Sequence, residues 1–225
     1  MNNLPLYIPL IFGLTVLAAL YLFYRASHRS GTFLLLAGGW IVTQSIVSMA
    51  GFYTVTDTTP PRLPLLLLPP LVLTIVLFAT RKGSQFIDGL SLDYLILLHS
   101  IRVPVELVLY WLFVQKTVPE LMTFEGRNVD ILSGLTAPIM YYLYVVKHSI
   151  GKPVLIGWTI LCLGLLVNIV MNAVLSVPGV FQQFAFDQPN VAILYFPFVL
   201  LPALLVPLVL FSHLATLKQL TTKRR

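Results

Sequence analysis

Read from its amino terminus, the chain alternates long apolar runs with short polar turns. Seven runs approach the length of a bilayer-crossing helix, which needs about 20 mostly apolar residues. They fall roughly at 5–24, 32–52, 63–80, 92–114, 129–147, 153–175 and 191–214. The runs are continuous and do not alternate, so they predict helices rather than the strands of a membrane barrel. The fifth is the most dilute, because Ser133, Gly134, Thr136 and Pro138 interrupt it. The flank Met1-Asn2-Asn3 is uncharged and no cleavage-site pattern follows the first run, which is therefore expected to persist as a helix. The predicted fold class is all-α: a polytopic membrane protein with seven transmembrane helices in a single integral domain over 1–225.

Composition narrows the function classes. Of 225 residues, 58% are hydrophobic and 10% charged, against about 45–50% and about 25% in a soluble domain. So few charges cannot cover a water-facing surface, which argues against a soluble enzyme, a nucleic-acid binder and a disordered chain. The net charge of +6 sits in short loops between apolar runs. One set of loops carries ten Lys and Arg, from Arg25 to Arg225, and the opposite set carries Arg62, Lys116 and Arg127. The positive-inside bias predicts an N-terminus outside and a C-terminus in the cytoplasm. The tail from Lys218 to Arg225 suits anionic headgroups. The partners expected are a lipid bilayer and a small solute, with no nucleic acid; no cofactor is expected. Cys162 is the single cysteine, which removes any disulfide framework.

The runs at the two ends of the chain resemble each other. Pro64 to Phe78 and Pro197 to Phe211 match without gaps at eight of fifteen positions, including two prolines five apart. Gly13-Leu14-Thr15 aligns with Gly134-Leu135-Thr136, and Tyr21-Leu22 with Tyr142-Leu143. With one gap, His28 and Gly31 meet His148 and Gly151. The expected plan is two parallel three-helix repeats, about 5–80 and 129–214, joined by a linker helix at about 92–114. Parallel repeats of this kind are a transporter design.

In this plan the chain resembles the SWEET and PQ-loop group of small-solute transporters. The resemblance covers the seven-helix arrangement over the whole chain and implies carriage of a small solute. It does not extend to motifs, since no Pro-Gln dipeptide occurs, and no site residue is carried over from it.

The fourth run is chemically unusual. His99, Arg102 and Glu106 are spaced three and then four apart, on one face of a helix. Ionisable groups at membrane depth face a protein interior or a wet cavity and mark solute or proton paths. Arg102 and Glu106, one turn apart, can neutralise each other, and Glu106 is expected within hydrogen-bond reach of Arg102 or of a polar group from another helix. Pro104 leaves the carbonyl of Ser100 without its usual donor. Asn168 and Asn172 lie four apart in the sixth run and Gln44 near the middle of the second; all three are candidates for binding a polar solute or for joining helices. His28, His148 and His213 are expected at headgroup level. The stretch from Lys116 to Asp130 holds three acids and two bases and is expected to be a solvated connection, with gating or partner docking as alternatives. No Gly-rich phosphate loop, HExxH or GxSxG occurs, and no lysine lies inside the last run, which disfavours an enzyme and excludes a retinal-type Schiff base.

The expected function is carriage of a small polar or anionic solute through a midplane site formed by His99, Arg102, Glu106, Asn168, Asn172 and Gln44. The alternatives are a non-transporting membrane subunit or sensor and, more distantly, an intramembrane enzyme acting on lipid.

Overall fold

A computed structural model describes the chain from Leu4 to Thr222; the flank Met1–Asn3 and the tail residues Lys223, Arg224 and Arg225 lie outside the described residues. Among the described residues the chain is all helical, without a strand. In order come α1 (Tyr7–Ala26), α2 (Gly31–Met49), α3 (Pro64–Ala79), α4 (Arg81–Asp88), α5 (Leu92–Val114), α6 (Ile131–Val146), α7 (Lys152–Leu175) and α8 (Leu201–Thr221).

The local chemistry explains several boundaries. The Ser30 hydroxyl accepts from the Phe33 N–H at 3.2 Å and opens α2, and Thr80 accepts from the Gly83 N–H at 3.2 Å to open α4. Thr80 is extended, so α3 and α4 meet at 92°. The short α4 buries Gly83 and Ile87 and leaves Arg81 and Lys82 exposed. It lies across one end of the bundle, held by Lys218 of α8. That ammonium donates to Asp88 at 2.6 Å and to the carbonyl and hydroxyl of Ser84.

Five helices (α1, α2, α5, α7 and α8) are long and apolar enough to cross a membrane, and α3 with α4 makes a sixth if the bent pair counts as one. The remaining expected crossing, α6, is a shorter apolar helix, so five or six of the seven expected spans have the full length. Its first turn sits beside the middle of α5: a Cβ on Gly134 would come within 2.8 Å of the Val103 backbone nitrogen. The last run is displaced as well. Residues 191–199 are not α-helical; Val191 and Ala192 donate their N–H groups to the Thr117 carbonyl at 3.1 and 3.0 Å. At its other end α8 continues past the apolar run, because Gln219 bonds the carbonyls of Ile87 and Leu90.

Large apolar side chains lie on the outside, and a group of ionisable ones sits within. Leu6, Leu35, Met49 and Ile75 are 66–79% exposed, whereas His99, Arg102, Glu106, Asp130 and His213 are buried. A soluble monomer rarely exposes so much contiguous apolar surface.

Helix α5 packs against α1, α6 and α8, and α8 packs in turn against α3, α4 and α7. The helix expected to be a linker thus stands at the centre of the fold. The two proline pairs act differently: Pro64 opens α3 and Pro69 lies inside it, whereas Pro197 precedes α8 and Pro202 falls in a π turn, Leu201–Leu205. Pro207 has no N–H to give the carbonyl of Ala203, one turn earlier. Trp40 of α2 supplies the missing donor, its indole N–H bonding that carbonyl at 2.8 Å.

Candidate functional site

Helix α5 carries the expected polar face, broken by a 3-10 turn at His99–Ile101 just before Pro104. His99, Arg102 and Glu106 are 0%, 3% and 2% exposed. The chain leaves α5 at Val114 and turns back into the bundle. Phe124 stacks on Tyr110 at 5.0 Å, Asn128 reaches Glu106, and Asp130 reaches Arg102. Glu106 lies eight residues below Val114, so this segment descends about 12 Å at 1.5 Å per residue. Lys116, Glu120, Glu125 and Arg127 remain exposed, while Thr123, Asn128 and Asp130 are buried. The solvated connection expected from Lys116 to Asp130 is, at its end, a re-entrant segment that delivers two polar side chains inward.

Of the partners expected for Glu106, Arg102 is not the one taken. Arg102 Nη1 donates to Asp130 Oδ1 at 2.6 Å and to the Cys162 carbonyl at 3.2 Å. Asn128 Nδ2 donates to both oxygens of Glu106 at 2.6 Å and to the Met122 carbonyl at 3.0 Å. Asp130 and Asn128, brought in by the segment that precedes α6, take up Arg102 and Glu106 respectively. Asp130 also accepts from the Ser133 hydroxyl at 3.2 Å, and Asn128 Oδ1 accepts from the Asp130 N–H at 3.0 Å. That Asx turn fixes the two partners relative to each other.

His213, expected at headgroup level, is 0% exposed and stacks on His99 with ring centroids 3.8 Å apart and planes 16° from parallel. The longer course of α8 carries it inward. Arg102 Nη2 lies 2.9 Å from His213 Nε2. A guanidinium only donates, so this nitrogen accepts, which places the ring proton on Nδ1 and leaves the imidazole neutral. His213 Nδ1, both ring nitrogens of His99 and Arg102 Nε have no hydrogen-bond partner. Trp158 meets His99 edge-on at 5.7 Å. His28 and His148 are exposed at helix ends, at φ of 52° and 50°.

The remaining expected residues do not join this network. Asn168 donates to the Arg127 carbonyl at 3.2 Å and accepts from Asn172 at 3.3 Å, so the pair ties α7 to the re-entrant segment. Gln44 accepts from the Tyr53 hydroxyl at 2.6 Å. Burial pushes the Tyr53 phenol up.

A cavity of about 70 Å³ lies between α5 and the helices α3, α7 and α8. Arg102, Glu106 and Asp130 line one side, and aliphatic residues such as Val105, Leu166, Leu205 and Val209 line the rest. A larger groove of about 670 Å³ between α2, α3 and α8 has no charged residue in its wall. Among the described residues no group of three or more His, Cys, Asp or Glu comes together to hold a metal ion. The smaller cavity is the chemically differentiated one, with ionisable side chains on one side and aliphatic ones on the rest.

Three members of the network, Asn128, Asp130 and His213, were not singled out as site residues by the sequence. The sequence signal for the first two is local: Asn128 and Asp130 are two apart, which suits an Asx turn, and Ser133 follows three later, at the opening of α6. His213 has no such signal, because its partners His99 and Arg102 are 114 and 111 residues away.

No curated protein and no solved structure matches the chain. One family does match, over residues 61–221. That stretch runs from the start of α3 to the end of α8, contains the whole polar network and leaves α1 and α2 outside it. The chain belongs to the DUF8737 family, a domain of unknown function.

Proposed function

We propose that this chain is a multi-pass membrane protein that carries a small solute, and that the solute binds in the cavity bounded by Arg102, Glu106 and Asp130. The observation that supports this reading most is a buried ionic network bordering an internal cavity at mid-depth in a bundle whose outer surface is apolar. A purely structural ion pair gains nothing from an adjoining cavity, which removes packing contacts from its surroundings. Orientation with the C-terminus in the cytoplasm follows the distribution of Lys and Arg. The two-repeat plan draws support from His28 and His148, which end α1 and α6 in the same left-handed conformation. Thr15 and Thr136 also bond the carbonyl four residues back in both helices.

The anionic form of the expected solute fits less well, because Arg102 is already engaged by Asp130. The alternative of a docking subunit keeps the exposed Lys116, Glu120, Glu125 and Arg127 as its motive, while Asp130, the fifth charge of the outer segment, turns inward.

The test is reconstitution into liposomes with labelled sugars, amino acids, organic acids and alkylammonium ions. Uptake of one class above protein-free liposomes, lost in Glu106→Gln at unchanged melting temperature, is the expected result. No uptake of any class by well-folded protein overturns the carrier reading.

A further inference from the structure

The charges around the cavity do not balance. Arg102 contributes one cation, and Asp130 pairs with it at 2.6 Å. His213 accepts from Arg102 and is neutral, and His99, stacked upon it with no partner for either nitrogen, adds no compensating bond. Cys162 contributes only its carbonyl to Arg102. Helix α1 presents Ile8, Phe12, Val16 and Ala19 to the interior, and α3 presents Leu63 and Leu67 to the cavity; none of them titrates. Glu106 remains, 2% exposed and hydrogen-bonded to the neutral amide of Asn128 alone. An ionised carboxylate buried without a counter-charge is too costly to persist.

We propose that Glu106 is an exchange site, holding either a proton or a small organic cation, and that the solute of this protein is a small apolar-bodied ammonium ion. This rests on the carrier reading above and names its substrate class. In the exchange, the Glu106 carboxylic acid gives its proton to solvent water as the ammonium arrives. The resulting carboxylate is neutralised by the ligand's charge, and its bonds from Asn128 persist. Val105, Leu109, Leu166, Ile169, Leu205 and Val209 supply an aliphatic wall for the ligand's carbon atoms. At roughly 10–15 Å³ per water-sized site, about 70 Å³ accommodates a ligand of about five heavy atoms. An anion drawn to the unpartnered Nε of Arg102 would instead sit beside two carboxyl groups.

The experiment uses the full chain in detergent and weakly buffered solution, with tetramethylammonium as probe and a pH-sensitive dye to count protons. The expected result is saturable binding with release of up to one proton per ligand. The apparent affinity rises as much as tenfold per pH unit over the range where Glu106 starts protonated. Glu106→Gln should keep its melting temperature and lose both binding and proton release, whereas Glu106→Asp, which retains the carboxyl, should bind with altered affinity. If Glu106→Gln fails to fold, the proton count and pH dependence of the unmodified protein decide alone. Binding without proton release, binding by Glu106→Gln equal to the original, or failure to bind tetramethylammonium would overturn the inference. Binding with proton release but no liposome uptake would instead overturn the carrier reading and leave the exchange site standing.

Discussion

Replacing Asp130 by Asn isolates the ionic bond at the centre of the bundle. The substitution keeps the shape and leaves Ser133 an acceptor, but removes the charge that Arg102 meets at 2.6 Å. Arg102 would then lie 3% exposed with neutral acceptors only: the amide oxygen at position 130, the Cys162 carbonyl and the His213 imidazole. Breaking one side of a buried pair costs about 3–5 kcal/mol in soluble proteins, because the other charge is stranded. On the scaling of soluble domains of this size, that corresponds to a fall in melting temperature of about 6–20 °C. Arg102→Met together with Asp130→Asn removes both charges and should regain most of the loss. The assay is thermal unfolding of the three purified variants in one detergent, followed by tryptophan fluorescence. A double variant as unstable as the sum of the two single changes would refute the reasoning, since it would show that the two side chains do not act on each other.

Other expectations follow from the same geometry. Gly134→Ala places a methyl about 2.8 Å from Val103, so it should destabilise by roughly 1–3 kcal/mol as α6 is pushed off α5, seen as a lower melting temperature. His99→Phe keeps the stacking ring and deletes two unpartnered nitrogens, so it should be neutral or stabilising. His213→Phe strips a partner from Arg102 and should cost about 1–3 kcal/mol; equal melting temperatures for the two would contradict this contrast. Trp40→Phe leaves the Ala203 carbonyl bare beneath Pro207 and should lower stability by about 1–3 kcal/mol. In that background Pro207→Ala restores the backbone donor and should recover part of the loss in the same melting assay. A fluorescent protein fused after Arg225 should fluoresce in whole cells if that end is cytoplasmic, and a dark fusion with an export-dependent reporter active in its place would reverse the orientation.

The apolar runs made the helices legible, since a helix at this composition needs little more than an uninterrupted apolar segment. The run at 92–114 became α5 at the same boundaries. Errors arose where tertiary bonds override composition. Residues 191–199 are mostly apolar but fold as a 3-10 turn and bends, with the N–H groups of Val191 and Ala192 paired with Thr117. Lys218 and Gln219 are polar yet helical, because α4 offers them acceptors. The face of His99, Arg102 and Glu106 was legible because helical spacing is local. Its partners were not, since they come from elements joined to α5 only in space. Charge in a loop reads as solvated until the fold shows that Asp130 has a buried guanidinium to meet. The Asn168–Asn172 pair and Gln44 were visible as amides on apolar helices, but nothing in their spacing distinguishes a bond to Arg127 or Tyr53 from a bond to a solute.

The central claim is that the carboxyl of Glu106 moves a small solute by exchanging it for a proton. It is tested most directly by uptake of labelled tetramethylammonium into proteoliposomes with an acidic interior, a probe that has no neutral form to leak across lipid. The account predicts accumulation above the external concentration, collapse when the proton gradient is dissipated, and none in Glu106→Gln. Uptake unaffected by the gradient, or undiminished in Glu106→Gln, would contradict it.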